Sequence, residues 1–162
     1  MNYCHSLSEI VTLADYRGSY QSYENYLYEI FCNKIKNAQI KFLGKPLSIR
    51  RHPEYNGKEE SFYHLTCKEQ YGLDDRTLDL RRSERLHWIP EALTSSHLKC
   101  PTECFVVYKK NKKLHLLDIK DRYIIVLDVR STYVLLVTAF YIEHQHTLEK
   151  KVREYHNYID SL

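Results

Sequence analysis

The 162-residue sequence predicts a single α+β domain with N-terminal helices, a central antiparallel sheet containing a four-strand meander, and a C-terminal helix. The clearest indication is residues 122–143, two runs rich in Val, Ile, Leu and Tyr on either side of a short connector at 130–132. Strands joined so closely are antiparallel, because a parallel pair needs a crossover of a dozen residues or more. Helical periodicity at both ends of the chain supplies the second observation.

Residues 1–38 form the helical part of this domain, 1–162. Ser6 followed by Glu9 is a capping-box pattern, which predicts a short helix that ends near residues 17–18. A longer helix should follow and end near Asn37. Its inner face repeats at spacings of three and four: Tyr23, Leu27, Ile30, Phe31, Lys34 and Ile35. Such a face suits core packing or docking of another chain, and nothing in it indicates chemistry.

Strand patterns begin after residue 39, with runs at 40–43 and 47–51 around a Gly-Lys-Pro turn. Cations gather in the same stretch: Lys41, Lys45, Arg50, Arg51 and His52. Pro53 holds His52 in an extended conformation, because the residue before a proline is pushed out of the helical region. This stretch is a candidate for binding an anionic substrate.

Residues 61–67 alternate in a way that predicts a third strand. On it His64 shares one face with Phe62 and Thr66. A histidine in the middle of a strand is either a packed, hydrogen-bonded residue or a catalytic one. The pattern alone leaves both interpretations open.

A helix is predicted from Asp74 to Ser96, entered through Asp74-Asp75, whose carboxylates favour a helix N-terminus. Arg81 and Arg85 lie one turn apart on it, with Trp88 beside them. Two such arginines form a fork for phosphate, and an indole offers a face for a base or a cation. The alternative is a solvated basic face paired with nearby carboxylates. Pro90 should kink or end the helix.

Two further strands, 104–108 and 114–119, are joined by the basic tip Lys109–Lys113. This tip is either a solvated hairpin loop or an electrostatic handle for a polyanion. After the central pair the chain should close with a helix from His144 to Tyr158. Its packing face carries Leu148, Val152, Tyr155 and Ile159.

Composition restricts the partners. With 24 basic and 21 acidic residues, the chain is only mildly positive, so any polyanion must be met by a local patch. Fifteen tyrosines are unusual for this length, and exposed tyrosine can stack on bases or fill an interface. The first residues lack the basic and apolar regions of a secretory signal, and no run is apolar enough to span a membrane. We therefore expect a cytoplasmic protein without a membrane partner.

The five cysteines are an odd number without a CxxC pair, which is typical of free thiols in a reducing compartment. His97, Cys100 and Cys104 could be imagined as zinc ligands, but no fourth ligand stands at a familiar spacing. No carboxylate cluster suited to magnesium stands out either. The sequence therefore predicts no metal and no cofactor.

Short motifs carry a resemblance across residues 45–156. They are RRHPE at 50–54, SFYHLT at 61–66, RRSERLHWIP at 81–90, YIIVLDVRSTYVLLVTAFYIE at 123–143 and REY at 153–155. Together they resemble the phage- and plasmid-associated branch of the barnase, EndoU, colicin and RelE (BECR) group of small nucleases. In that comparison residues 39–162 are the nuclease-like part of the chain, and residues 1–38 are not matched.

The resemblance implies a metal-independent endoribonuclease, in some relatives a toxin, with RNA as substrate and an antitoxin or immunity protein as a possible partner. It places the histidine acid or base at His64, the phosphate-stabilising arginines at Arg81 and Arg85, and a phosphate-binding threonine at Thr138. The group often has Tyr after Thr-Ala, where this chain has Phe140. The tyrosine of the group therefore has no counterpart at this position.

The residues make a parallel case. Cleavage through the 2′-hydroxyl needs a base, an acid, and fixed cations for the charge that develops on phosphorus. His64 and His52 can serve as the pair, Arg51 and Lys41 can bind substrate, and Trp88 can stack on a base.

The competing interpretation is a non-catalytic phage- or plasmid-encoded factor that binds protein or RNA. A single cleft containing His64, Arg81 and Arg85 would favour the enzyme, and a sealed His64 would favour the binding protein.

Overall fold

The computed structural model describes residues 7–68, 77–94 and 104–162. Its helices are a 3₁₀ turn at Leu13–Tyr16, α1 at Tyr20–Ile30 continuing as a π-helical segment at Phe31–Lys36, α2 at Glu60–Thr66, α3 at Leu80–Ser83, α4 at Trp88–Thr94 and α5 at Gln145–Asp160. Its strands are β1 at Lys41–Phe42, β2 at Lys45–Ser48, β3 at Val106–Lys110, β4 at Lys113–Asp118, β5 at Tyr123–Val129 and β6 at Val134–Tyr141. The predicted α+β class is confirmed.

The strands form one sheet of six in the order β1-β2-β6-β5-β4-β3. The predicted four-strand antiparallel meander, β3 to β6, is confirmed by its register. The sheet also contains one parallel pair, because β2 lies beside β6 with Leu47 opposite Val134. That pair was not predicted, and it satisfies the crossover rule, since the whole of α2 to β5 separates the two strands.

The β3–β4 hairpin is tighter than the predicted five-residue tip. Asn111 and Lys112 both have positive φ, 51° and 65°, as a two-residue type I′ turn requires. The strands therefore extend to Lys110 and Lys113, which are cross-strand partners. As a result, Lys109, Lys110 and Lys113 belong to the strands, and Lys112 lies in the turn.

The sheet separates two cores. On one face, side chains such as Leu116, Ile125 and Leu136 pack with buried residues of α1, α2 and α4. On the other face, α5 covers a smaller cluster that includes Tyr108 and Ile124. Alternation along the meander strands produces this division, because successive side chains point to opposite faces.

The predicted second helix is confirmed in α1 and its π-helical extension, which bury Tyr23, Leu27, Phe31 and Ile35. Ser6 lies outside the described residues. The first helix, as predicted from a capping box at Ser6 and Glu9, is wrong over residues 8–12, which are not helical. The capping box is formed instead by Thr12 and Asp15, at the start of the 3₁₀ turn.

The strand predicted at 61–67 is wrong, because this segment is helix α2. Phe62, Leu65 and Thr66 are all buried, which is the i, i+3, i+4 spacing of a helical face. The segment is short enough to match both periods, and packing on the sheet decided between them. His64 therefore lies in the last turn of a helix.

The single helix predicted from Asp74 to Ser96 is also wrong within the described part. An isolated bridge between Cys67 and Leu78 makes the approach extended, and Asp79 then caps α3 by accepting from Arg81 N and Arg82 N. Residues 84–87 form a turn before α4. The predicted termini at 74–75 and 95–96 lie outside the described residues.

Pro90 neither kinks nor ends a helix. It occupies the third position of α4, which begins at Trp88. In the first turn its missing N–H removes no intrahelical bond. Of the helices in the described ranges, none is both long enough and apolar enough to cross a bilayer.

Candidate functional site

His64 lines a pocket of about 30 Å³ between α2 and strand β6. The residues that line it are Arg50, Glu60, Ser61, His64, Leu136 and Val137. Val137 is the extra residue of a β-bulge, since Leu127 pairs with Leu136 and Val126 already pairs with Thr138. Bulges are common beside functional sites because they redirect a side chain. The volume admits a water or an anion's oxygen and is too small for a base.

Two hydrogen bonds between Arg50 and Ser61 hold the backbone around this pocket. Arg50 N donates to Ser61 Oγ at 2.7 Å, and Ser61 N donates to Arg50 O at 2.9 Å. The first turn of α2 is thereby fixed to the chain that leaves β2. Glu60 and His64 then project from adjacent turns of α2, four residues apart, which places them on one helix face.

Three of the predicted substrate-binding residues, Arg51, His52 and Lys41, are exposed. Arg51 and His52 directly follow Arg50, which lines the pocket. Lys41 lies on β1, at the edge of the sheet. Of the cations predicted at 50–52, Arg50 is the one that lines the His64 pocket.

Arg81 is a surface residue. Its side chain is 57% exposed and pairs with Glu84 at 3.5 Å and with Glu143 at 3.7 Å. These pairs match the alternative interpretation of the basic face, in which the arginine meets nearby carboxylates.

Arg85 is buried, with its side chain 10% exposed. Its guanidinium stacks 4.0 Å from the ring centroid of Tyr141 and donates to Arg81 O and Glu84 Oε2. Its Nε is buried without a hydrogen-bond partner among the described atoms. Arg81 and Arg85 do not line the pocket that contains His64.

Trp88 is buried as well. Its Nε1 donates to Ser8 O at 2.8 Å, and its ring meets Tyr123 edge-on at 5.2 Å. The indole therefore has no free face for a base in this conformation. Thr138 is half-buried opposite Val126, whose side chain belongs to the core under α5. It lies on the sheet face away from α2.

Arg82 is the arginine that sequence reasoning missed. Its Nη1 donates to His64 O at 2.9 Å, its Nε pairs with Asp79 at 3.5 Å, and its guanidinium lies 5.5 Å from the Phe140 ring centroid. It connects α3, α2 and β6 at the position of the candidate histidine. The signal available in the sequence was the i, i+3 spacing from Asp79.

In chemical terms, the residues that line the pocket include a glutamate, a histidine and an arginine, namely Glu60, His64 and Arg50. Such a set can move protons and stabilise a phosphate charge without a metal. Within 7–68, 77–94 and 104–162, no three His, Cys, Asp or Glu side chains are grouped to hold a metal ion. His97 and Cys100 lie outside those ranges.

Comparisons with protein-family models, with curated proteins and with solved structures find no match to this chain. The resemblance to the BECR nucleases rests on the motifs in the sequence.

Proposed function

We propose that this chain is a metal-independent endoribonuclease of toxin type that cleaves RNA through its own 2′-hydroxyl at the His64 pocket. The observation that carries the proposal is that Arg50, Glu60 and His64 line one pocket. These three provide the two proton-transfer groups and the cation that the reaction needs.

In the proposed reaction, one of Glu60 and His64 removes the proton from the 2′-hydroxyl, and the 2′-oxygen attacks phosphorus. The bond from phosphorus to the 5′-oxygen breaks, and the other residue donates a proton to that leaving oxygen. The products are a 2′,3′-cyclic phosphate and a 5′-hydroxyl end. No metal ion is required for this balance.

Arg50 takes the clamp role that the sequence assigned to Arg81 and Arg85. Arg85 is buried against Tyr141, and Arg81 already pairs with two carboxylates. The exposed Arg51 and His52 would bind phosphates on either side of the cleaved bond, because they continue the chain from Arg50.

The second candidate is a non-catalytic factor that binds RNA or protein. The specific observation in its favour is that Arg85, predicted to stabilise phosphate, and Trp88, predicted to bind substrate, are both engaged inside the fold and do not line the His64 pocket.

Product analysis separates the two candidates. The purified wild-type chain, freed from any partner and assayed with a chelator, should convert end-labelled RNA to fragments ending in a 2′,3′-cyclic phosphate. The matched control is the same oligonucleotide with a single 2′-deoxy position, which should not be cut at that position. An uncut RNA under these conditions favours the binding factor, and cleavage that proceeds only with added metal rejects the proposed chemistry.

A further inference from the structure

A second group of charges lies at the opposite edge of the sheet, where the β3–β4 hairpin meets α5. Lys109 pairs with Leu114 and faces the other side of the sheet. Four lysines remain where the hairpin meets α5: Lys110, Lys112, Lys113 and Lys151. We call them the hairpin–helix lysines. Strands β6 and β3 are three strand spacings apart in the sheet order, which is about 14 Å. The group is therefore separate from the His64 pocket.

Strand register brings two of these lysines face to face. Lys110 and Lys113 are direct cross-strand partners. They lie on the α5 side of the sheet, because they are two residues from Tyr108 and His115, the next pair on that face. Like charges directly opposite one another destabilise a sheet unless an anion lies between them.

Glu154, the carboxylate that pairs with these lysines, already has partners on both of its oxygens. Glu154 Oε1 accepts from Lys110, while Oε2 accepts from the Tyr108 hydroxyl at 3.0 Å and lies 3.7 Å from Lys151. Within the described part of the chain, no acidic side chain pairs with Lys112 or Lys113. The surface thus keeps an excess of positive charge.

The pKa of His115, which lies beneath these lysines, also reflects the excess of positive charge. His115 is 8% exposed, stacks on Tyr108 with 4.8 Å between ring centroids, and has a buried Nδ1 without a hydrogen-bond partner among the described atoms. Burial, followed by the charge of Lys151, lowers the pKa of His115. Because a neutral His115 carries no charge, the positive charge of the hairpin–helix lysines can be balanced only by an anion outside the chain's own core.

The composition of the surface favours a nucleic acid over a protein partner. Lysine is depleted in protein–protein interfaces, where aromatic residues and arginine provide the anchors. Lysine is also a point charge without the planar fork of arginine, which suits contact with a continuous polyanion irrespective of its sequence. We propose that the hairpin–helix lysines bind the phosphodiester backbone of nucleic acid.

The test is fluorescence anisotropy with two short labelled probes, a single-stranded DNA and a single-stranded RNA of the same sequence. Wild-type protein can be used with the DNA probe, because DNA has no 2′-hydroxyl and is not cleaved. Binding of the RNA probe is measured with His64→Ala protein, so that the RNA is not cleaved either. The test variant is Lys112→Glu/Lys113→Glu, which changes the exposed turn position and the half-buried strand position next to it. The matched control is Lys34→Glu/Lys120→Glu, which makes the same charge change at two exposed positions elsewhere.

The hairpin variant should bind both probes at least about tenfold more weakly, and the slope of log affinity against log salt should fall by about 1.4, which corresponds to two lost phosphate contacts. The control should remain close to wild type. Lys112→Gln/Lys113→Gln should be intermediate, which guards against an effect of the introduced acids. Circular dichroism checks that each variant is folded.

Equal weakening by the control would reduce the effect to net charge and overturn the proposal. Unchanged binding by the hairpin variant would overturn it as well. Poly-glutamate that competes as well as the DNA would assign the surface to acidic chains in general. Loss of cleavage by His64→Ala with retained RNA binding would support both sites independently.

Discussion

Arg82 Nη1 donates a hydrogen bond to the carbonyl oxygen of His64 at 2.9 Å. That carbonyl belongs to the last turn of α2, where backbone acceptors have no partner within the helix and where a cation is favourable. Since Asp79 holds Arg82 from the N-terminus of α3, the position of His64 depends on the junction between the two helices. Arg82 is accordingly a positioning residue.

Replacing Arg82 with alanine should reduce the free energy of unfolding by about 1–3 kcal/mol, because a charge-assisted hydrogen bond to a largely buried acceptor is lost. The side chain of Arg82 is 16% exposed, so solvent does not replace the bond fully. Urea denaturation measures the change. Arg81→Ala is the matched control, and its 57% exposed ion pairs should contribute no more than about 1 kcal/mol. Equal effects of the two variants would contradict the role given to Arg82.

We expect Arg85 to stabilise the fold and not to take part in catalysis. Arg85→Ala removes the guanidinium from Tyr141 and leaves the carboxylate of Glu84 buried without this partner, so we expect a loss of about 3–5 kcal/mol. Thermal or urea unfolding measures it. A stable Arg85→Ala protein that binds RNA poorly would instead restore Arg85 as a phosphate clamp.

The buried His115 predicts a specific dependence on pH. The groups that face it are Tyr108 and Lys110 from β3, and Lys151 and Glu154 from α5. Its pKa is below the ordinary 6.5 in the folded state, so the unfolded chain binds the extra proton first. The free energy of unfolding should be unaffected by this group above pH 6.5 and should fall as the pH drops from 6.5 through the folded pKa.

The measurement for His115 is urea denaturation across that pH range. His115→Gln should flatten the dependence below pH 6.5, whereas His156→Ala, at an exposed position, should not. Glu154 contributes in a lower window. Although burial acts to raise its pKa, the hydrogen bond from Lys110 and the charge of Lys151 lower it below 4.5, so its stabilisation is lost only at more acidic pH. A pH dependence that survives in His115→Gln would refute the assignment.

The parts of the fold that could be predicted are those where one local signal dominates. The meander follows from apolar β-branched runs with connectors too short for a crossover, as between Val129 and Val134. The helix carrying Leu27 and Phe31 follows from an unbroken apolar stripe. The strand prediction for residues 61–67 was wrong because a seven-residue segment fits both the helical and the strand period. Only contact with β6 selects the helix.

The site was harder to predict because it depends on long-range packing. The stripe of Arg81 and Arg85 assumed one continuous helix, and the turn at 84–87 turns Arg85 into the core. The contact between Arg82 and His64 joins two helices whose separation in space no local pattern encodes. The hydrogen bond from Arg50 N to Ser61 Oγ places Arg50 at the pocket. This contact could not be predicted while residues 61–67 were interpreted as a strand.

The most direct test of the central claim is the single-turnover rate of RNA cleavage by wild-type, His64→Ala and His146→Ala proteins in the presence of a chelator. His146 is an exposed histidine at the start of α5 and serves as the matched control. We expect His64→Ala to lose about 10²- to 10⁴-fold in rate, as is typical when a general acid or base is removed, while His146→Ala stays at the wild-type rate. Wild-type rates in both variants would contradict catalysis at the His64 pocket.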